Sequence, residues 1–270
     1  MKLGISSWAF PWSVGVPGCA PAEPLGALDL VAIAAHLNVR VLQLADNLPL
    51  DTWNDIQLGE LRAFSQQQQV QLEVGTRGIG RGHLLRYLQI AQLLDSALLR
   101  VVIDTPETRP TPDEVLATLR GLTADLETAG VMLAIENHDR FHSTQLVDIL
   151  QRLDSPAVGI CLDTANSLAA MEGTETVVRT LGPWTVNLHI KDVRVRRTNA
   201  GLGLLVEGCP AGAGQLGIPA LLADLAELGR QVNVIVEHWP PQQASLAETL
   251  ALERRWAEQS VGYLRQWIKD

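Results

Sequence analysis

Apolar residues along this chain fall into short, nearly unbroken runs, separated by longer stretches in which they recur every three or four positions. The short runs are Leu3–Ser6, Val39–Leu44, Val70–Val74, Leu98–Ile103, Val131–Glu136, Val158–Leu162, Thr185–Ile190 and Val232–Glu237. Apolarity this continuous over so few residues predicts parallel strands covered on both faces. The longer rhythm predicts helices over Leu84–Leu94, Pro112–Ala129, Ile218–Leu228 and Ser245–Trp267. For the second of these, Thr111 is a natural N-cap and Pro112 suits the first helical position. Asp113 and Glu114 put negative charge where the helix dipole favours it, and Gly130 supplies a stop.

Strands alternating with helices leave two architectures, an open doubly wound sheet or a closed barrel. No G-x-G-x-x-G turn follows the first strand, which weakens a dinucleotide-binding sheet. The 270 residues contain no linker or low-complexity block, so residues 1–270 are predicted to form one domain of the α/β class, a single (β/α)₈ TIM barrel. The Gly-rich segment between the seventh strand and the next helix, Asp192 to Gly217, is predicted to be a long functional loop.

Barrel chemistry gathers where strands end at the C-terminal face. Four late strands end on a charged or imidazole residue after an apolar run: MLAIE on Glu136, GICLD on Asp163, VNLH on His189 and VNVIVE on Glu237. Packed at one mouth, such groups would cost several kcal/mol unless a cation offset them. Three carboxylates and an imidazole suit one hard or borderline divalent ion, such as Mn²⁺, Mg²⁺, Co²⁺ or Zn²⁺.

The strand-end glutamate, the L-D-T-x-N, H-I-K-D and V-x-V-E-x-W segments and the stretch GAGQLGIPALLADL together resemble the xylose-isomerase-like sugar phosphate isomerase/epimerase superfamily. The resemblance implies that Glu136, Asp163, His189 and Glu237 bind the metal and that Glu136 and Glu237 are the catalytic acid/base pair. It further implies a divalent-metal-dependent isomerase or epimerase of a sugar, sugar phosphate or sugar acid, working through an enediolate. The resemblance to ketohexose epimerases of this family puts His142 where a substrate-binding glutamate would be and Asn166 where a substrate-binding histidine would be. The Glu136-x-His138 spacing is similar to members that dehydrate or rearrange cyclic and keto-acid substrates. The alternative reading is therefore a metal-dependent dehydratase or lyase.

Period-two geometry puts His138 on the side of Glu136 and Lys191 on the side of His189, as substrate contacts or, more blandly, as a hydrogen-bonded histidine and a rim lysine paired with Asp192. Arg194, with Arg196 and Arg197, could catch an anionic tail or be a solvated loop. Trp8, Phe10 and Trp12 follow the first strand and could wall the pocket, while Glu73 and His238 are weaker candidates. Alternation should turn His238 away from the barrel interior. Trp256 and Trp267 are spaced for helix packing or for a contact between copies in a homo-oligomer.

Composition narrows the partners. A net charge of −9 argues against a nucleic-acid binder. It also argues against the DNA-repair endonuclease branch of the superfamily, which holds several metals in a larger cluster of histidines and acids and has a basic face, whereas few of the six histidines here fall at strand ends. Cys19, Cys161 and Cys209 form no C-x-x-C pair and read as reduced thiols. No apolar run reaches the roughly 20 residues of a membrane span, and no signal-like segment opens the chain, so a cytoplasmic location is expected. The expected partner is a small carbohydrate-like molecule; a non-catalytic, sugar-binding barrel finds no direct support because all four metal positions carry competent ligands.

Overall fold

All eight predicted runs form strands, and in a computed structural model describing residues 1–270 they close into one parallel barrel. Its strands are β1 (Leu3–Ser6), β2 (Val41–Leu44), β3 (Gln71–Arg77), β4 (Leu98–Val102), β5 (Met132–Glu136), β6 (Val158–Asp163), β7 (Thr185–Ile190) and, after a hairpin of β8 (Asp192–Arg197) and β9 (Leu204–Cys209), β10 (Asn233–Val236). Around the barrel the order is β1-β10-β7-β6-β5-β4-β3-β2. The helices are α1 (Pro11–Val14), α2 (Ala27–His36), α3 (Asp55–Gln67), α4 (Arg81–Leu93), α5 (Pro112–Arg120), α6 (Thr123–Ala129), α7 (Ser143–Leu153), α8 (Thr174–Leu181), α9 (Ile218–Glu227) and α10 (Leu246–Leu264). None of these helices is long and apolar enough to cross a membrane.

The structure departs from the sequence reading in three places. The helix expected over Pro112–Ala129 is two helices, because the chain turns at Gly121 and buries Leu122 in the apolar core. Thr111 does cap the first, its hydroxyl accepting from the Glu114 amide. Strand β3 runs three residues past its predicted end, through Thr76 and Arg77, because Arg77 still pairs with Val102 of β4. The long segment after β7 is in large part the β8–β9 hairpin.

Each barrel strand sends alternate side chains outward and inward. The outward set, with Ile5, Leu42, Leu72, Leu99, Leu133, Ile160, Leu188 and Val234 among it, joins the helices in one cluster of 62 buried apolar residues. The inward set is unusually polar. Gln43, Glu73, Arg100, Glu136, Asp163, Asn187 and His189 are all buried there, where a barrel lumen usually holds Val, Ile and Leu. A lumen built this way must satisfy its own hydrogen bonds, and that requirement shapes the site above it.

Candidate metal centre

Glu136 closes β5, Asp163 closes β6, His189 lies one residue before the end of β7 and Glu237 directly follows β10. The registers that pair Glu136 with Cys161, Asp163 with His189 and His189 with Ile235 bring them to one level of the lumen. One ligand-capable atom from each of the four lies within 4.8 Å of the others, and all four residues are buried. His189 Nδ1 is 3.4 Å from Glu136 Oε2, 3.4 Å from Glu237 Oε1 and 3.8 Å from Asp163 Oδ2.

These atoms are short of partners. His189 Nδ1 and both Glu237 carboxylate oxygens make no hydrogen bond, although Glu237 Oε2 lies 2.8 Å from Lys191 Nζ as an ion pair. Buried polar atoms left unsatisfied cost about 1–3 kcal/mol each. The imidazole is also turned the useful way. Its Nε2 lies 2.8 Å from Gln43 Oε1, an atom that can only accept, so Nε2 carries the proton and Nδ1 offers a lone pair to the three carboxylates. A donor set of three carboxylates and one bare imidazole nitrogen fits a divalent cation.

Fixed cations brace the quartet. Arg100, fully buried on β4, donates through Nε to Glu136 and through Nη1 to Asp46 Oδ1 at 2.8 Å. Asn166 Nδ2 donates to the other Glu136 oxygen at 2.6 Å. Burial alone would raise the Glu136 carboxyl, but Arg100, His189 and Lys191 outweigh it and hold it below the ordinary range. Glu237 is held well below that range as well; burial again opposes, and His189 and Lys191 prevail. Lys191 Nζ donates to Asp163 Oδ2 at 2.7 Å, and these carboxylates raise its proton affinity against the opposing effect of burial. Burial would weaken the basicity of His189, yet Glu237 and Glu136 raise it, so a proton and a divalent ion compete for the same Nδ1 lone pair.

Above the quartet lies a cavity of about 240 Å³ whose wall includes Trp8, Arg77, His138, Asn166, Lys191 and Trp239. It adjoins a second of about 340 Å³, which shares Arg77, Glu136, His138 and Asp139 and reaches Arg140 at the rim. The structure thus brings Trp8, His138, Asn166 and Lys191 to the quartet. Trp8 is held by its indole N–H, which donates to Asp46 at 3.1 Å.

Two expected substrate contacts lie away from the cavity. His142 caps α7, its side chain 57% exposed and 3.7 Å from Glu172, so it does not line the cavity. Arg194 rides outward on β8, where its Nε donates to Ala213 O at 2.7 Å; the hairpin carries it off the site. Arg196 is taken up by Glu207 on the same hairpin. Phe10 is buried in the core instead of walling the pocket. Trp12 ties its indole N–H to Pro240 O at 2.8 Å. Lys191 pairs with Asp163 and Glu237 in place of Asp192, whose carboxylate accepts from the amides of Val193, Gly212, Gly214 and Leu216.

Arg100, Arg77, Asp46 and Gln43 went unforeseen. Arg100 and Gln43 each interrupt an apolar strand run with one polar residue on the inward period, a signal that was present in the sequence. Their partners lie on distant strands, and only closure of the barrel reveals them.

A closed parallel barrel with a carboxylate–imidazole quartet at the C-terminal ends of its strands defines the class, a TIM barrel with a candidate metal centre. The chain belongs to the xylose isomerase-like TIM barrel family, whose model matches residues 76–267. It is 36% identical over 266 residues to the 3-oxo-isoapionate decarboxylase of Pectobacterium atrosepticum, a match covering 98% of this chain and 95% of that protein. Among solved structures it is similar to D-psicose 3-epimerase of Clostridium cellulolyticum H10 with D-tagatose, at a TM-score of 0.77, 18% identity and full coverage of both chains. It is also similar to a xylose isomerase-like TIM barrel protein of Mycobacterium smegmatis in complex with magnesium, at a TM-score of 0.72, 15% identity and 97% coverage of each chain.

Proposed function

We propose that the protein is a divalent-metal-dependent carbon–carbon lyase that removes CO₂ from a small 3-oxo sugar acid. The observation that carries this reading is the lock on Glu136. An isomerase or epimerase of the two-glutamate kind needs both carboxylates free to take and return a proton. Here one Glu136 oxygen is engaged by the Arg100 guanidinium and the other by the Asn166 amide. That leaves Glu136 well suited as a fixed anionic ligand and poorly suited as a base. Loss of CO₂ from a 3-oxo acid needs no base. The bond to the carboxylate carbon breaks, its electron pair moves toward the neighbouring carbonyl, and one proton returns to carbon.

A divalent ion held by Glu136, Asp163, His189 and Glu237 would supply Lewis-acid stabilisation of the developing oxyanion. The chain's own residues would do the rest. Asn166 and Arg100 keep Glu136 in place, and Arg77 and Lys191 offer positive charge to an anionic substrate along the cavity wall. Lys191, whose ammonium lies within 2.8 Å of both Asp163 and Glu237, is the proton-bearing group poised to return a proton to carbon. Trp8 and Trp239 limit access of water. Full-length similarity to a 3-oxo-isoapionate decarboxylase supports the same reading.

The test is to incubate the purified protein, loaded with Mn²⁺ or Mg²⁺, with a 3-oxo sugar acid and separately with free ketohexoses. Equimolar CO₂ release from the acid, abolished in Lys191→Met and Glu237→Gln, is expected. Interconversion of ketohexoses, with solvent deuterium entering carbon and no CO₂ formed from the acid, would restore the epimerase reading.

A further inference from the structure

Beneath the metal ligands, on the same inward period of the barrel, Glu73 of β3 is surrounded by three carboxamides. Its Oε1 accepts from Asn233 Nδ2 at 2.7 Å, and its Oε2 accepts from Gln43 Nε2 and Asn187 Nδ2, each at 3.0 Å. Glu73 makes no hydrogen bond or ion pair with any of the four residues of the quartet. We propose that Glu73 is a positioning residue that fixes the tautomer of His189 through Gln43, and so sets the affinity of the site for its metal.

The chain of reasoning uses only what each group can donate or accept. Three N–H donors converge on the two Glu73 oxygens, and a carboxylate only accepts, so each amide must present its NH₂ to it. Gln43 spends its second N–H on Asn187 Oδ1 at 3.2 Å. Both amide hydrogens of Gln43 are then used on the Glu73 side, and its carbonyl oxygen is turned toward His189. That oxygen requires a proton on His189 Nε2, which leaves Nδ1 bare among Glu136, Asp163 and Glu237. Were the Gln43 amide reversed, it would donate to Nε2, push the proton to Nδ1 and block the metal. Glu73 forbids the reversal, because the flipped amide would point an oxygen at a carboxylate.

Metal-binding histidines usually have their second nitrogen held by a carboxylate or carbonyl partner, and losing such a partner costs about 10–100-fold in affinity. In this barrel a carboxylate on β3 acts at one remove, through a glutamine on β2, on a histidine across the lumen on β7. The register makes this possible. Gln43 pairs with Glu73 on adjacent strands, and Asn187 pairs with Asn233 on theirs, so the two polar pairs face each other and hydrogen-bond across the lumen.

This inference rests on the metal reading of the quartet, and the experiment separates the two. Mn²⁺ affinity would be measured by titration calorimetry for wild type, for Glu73→Gln, and for the exchange of Glu73→Gln with Gln43→Glu. The single variant keeps shape but lets the amide at position 43 reverse, and its affinity is expected to fall about tenfold or more. The exchange places a carboxylate directly against His189 Nε2 and is expected to bring affinity back toward wild type. Long-range ¹H–¹⁵N spectra of the metal-free protein at pH 9 should show the His189 proton on Nε2 in the wild type and partly on Nδ1 in Glu73→Gln, a readout that a merely structural role for Glu73 would not move. Unchanged Mn²⁺ affinity in Glu73→Gln overturns the relay and leaves the metal reading standing. A proton on Nδ1 in the wild type also overturns it, and that measurement decides the matter should the single variant fail to fold. No Mn²⁺ uptake by wild type overturns both.

Discussion

His238 follows Glu237 in sequence but serves a different environment. Its Nε2 lies 2.9 Å from Ser260 Oγ on α10, and its ring meets Trp256 edge-on with centroids 5.8 Å apart. Alternation along the chain predicts this turn toward the helix. Burial pushes the imidazole down to about 4 from an ordinary 6.5. As pH falls, the unfolded chain therefore takes up this proton before the folded one does. The stability His238 contributes is complete above pH 6.5 and is lost between 6.5 and 4, by about 3 kcal/mol at most. Urea unfolding at pH 7 and pH 4.5 should show a larger loss for wild type than for His238→Gln. Equal losses would show that the histidine is not buried in its neutral form. At this scale the four residues of the quartet were legible because each closes an apolar run with a group that cannot sit alone in a core. Arg100, Gln43 and Asn187 send the same signal from inside strands, and Glu73 ranked only as a weak candidate. What they bond to is set by which strands face each other across the lumen, and no local pattern encodes that. His142 and Arg194 lie off the cavity for a related reason, since the α7 cap and the β8–β9 hairpin that carry them are placed by contacts distant in sequence.

Elements were legible in proportion to how continuous their apolar signal was. Strands survived with ends shifted by up to three residues. The β8–β9 hairpin did not show, because Arg194, Arg196 and Arg197 break the apolar pattern of its first strand and glycines lie in the turn before and the loop after its second. Its root is fixed by Asp192, whose two oxygens collect four backbone amides, including that of Gly214. A Cβ at Gly214 would lie 2.0 Å from Asp192 Oδ1 and 2.6 Å from Val193 O, so any side chain there must break the knot. Gly214→Ala is expected to destabilise the fold by roughly 1–3 kcal/mol. It should also expose the Arg196–Cys209 stretch to limited proteolysis well before the barrel is cut. Wild-type resistance in that variant would mean that the hairpin is held by something other than Asp192. Outboard of the root, Leu202, Leu204 and Val206 are exposed beside these arginines, and charge along an edge strand is a common guard against strand-to-strand pairing between molecules.

For the whole molecule, the apolar cluster between barrel and helices supplies the bulk of the cohesion, while the lumen works against it. Glu136, Asp163 and Glu237 face only Arg100 and Lys191 as close fixed cations. A divalent ion bound there stabilises the folded state by mass action, by about 2.7 kcal/mol at a hundredfold excess over Kd. For a chain this size that corresponds to roughly 5–10 °C in Tm. Calorimetric scans with Mn²⁺ and with a chelator should differ by that amount, and identical scans would mean that the quartet holds no ion. The polar lumen then bears on how long each copy of the protein survives. Chains made when divalent metal is scarce would open more often, meet proteases more often and be cleared sooner. The standing amount of the protein, and not only the activity of each copy, would rise and fall with metal supply.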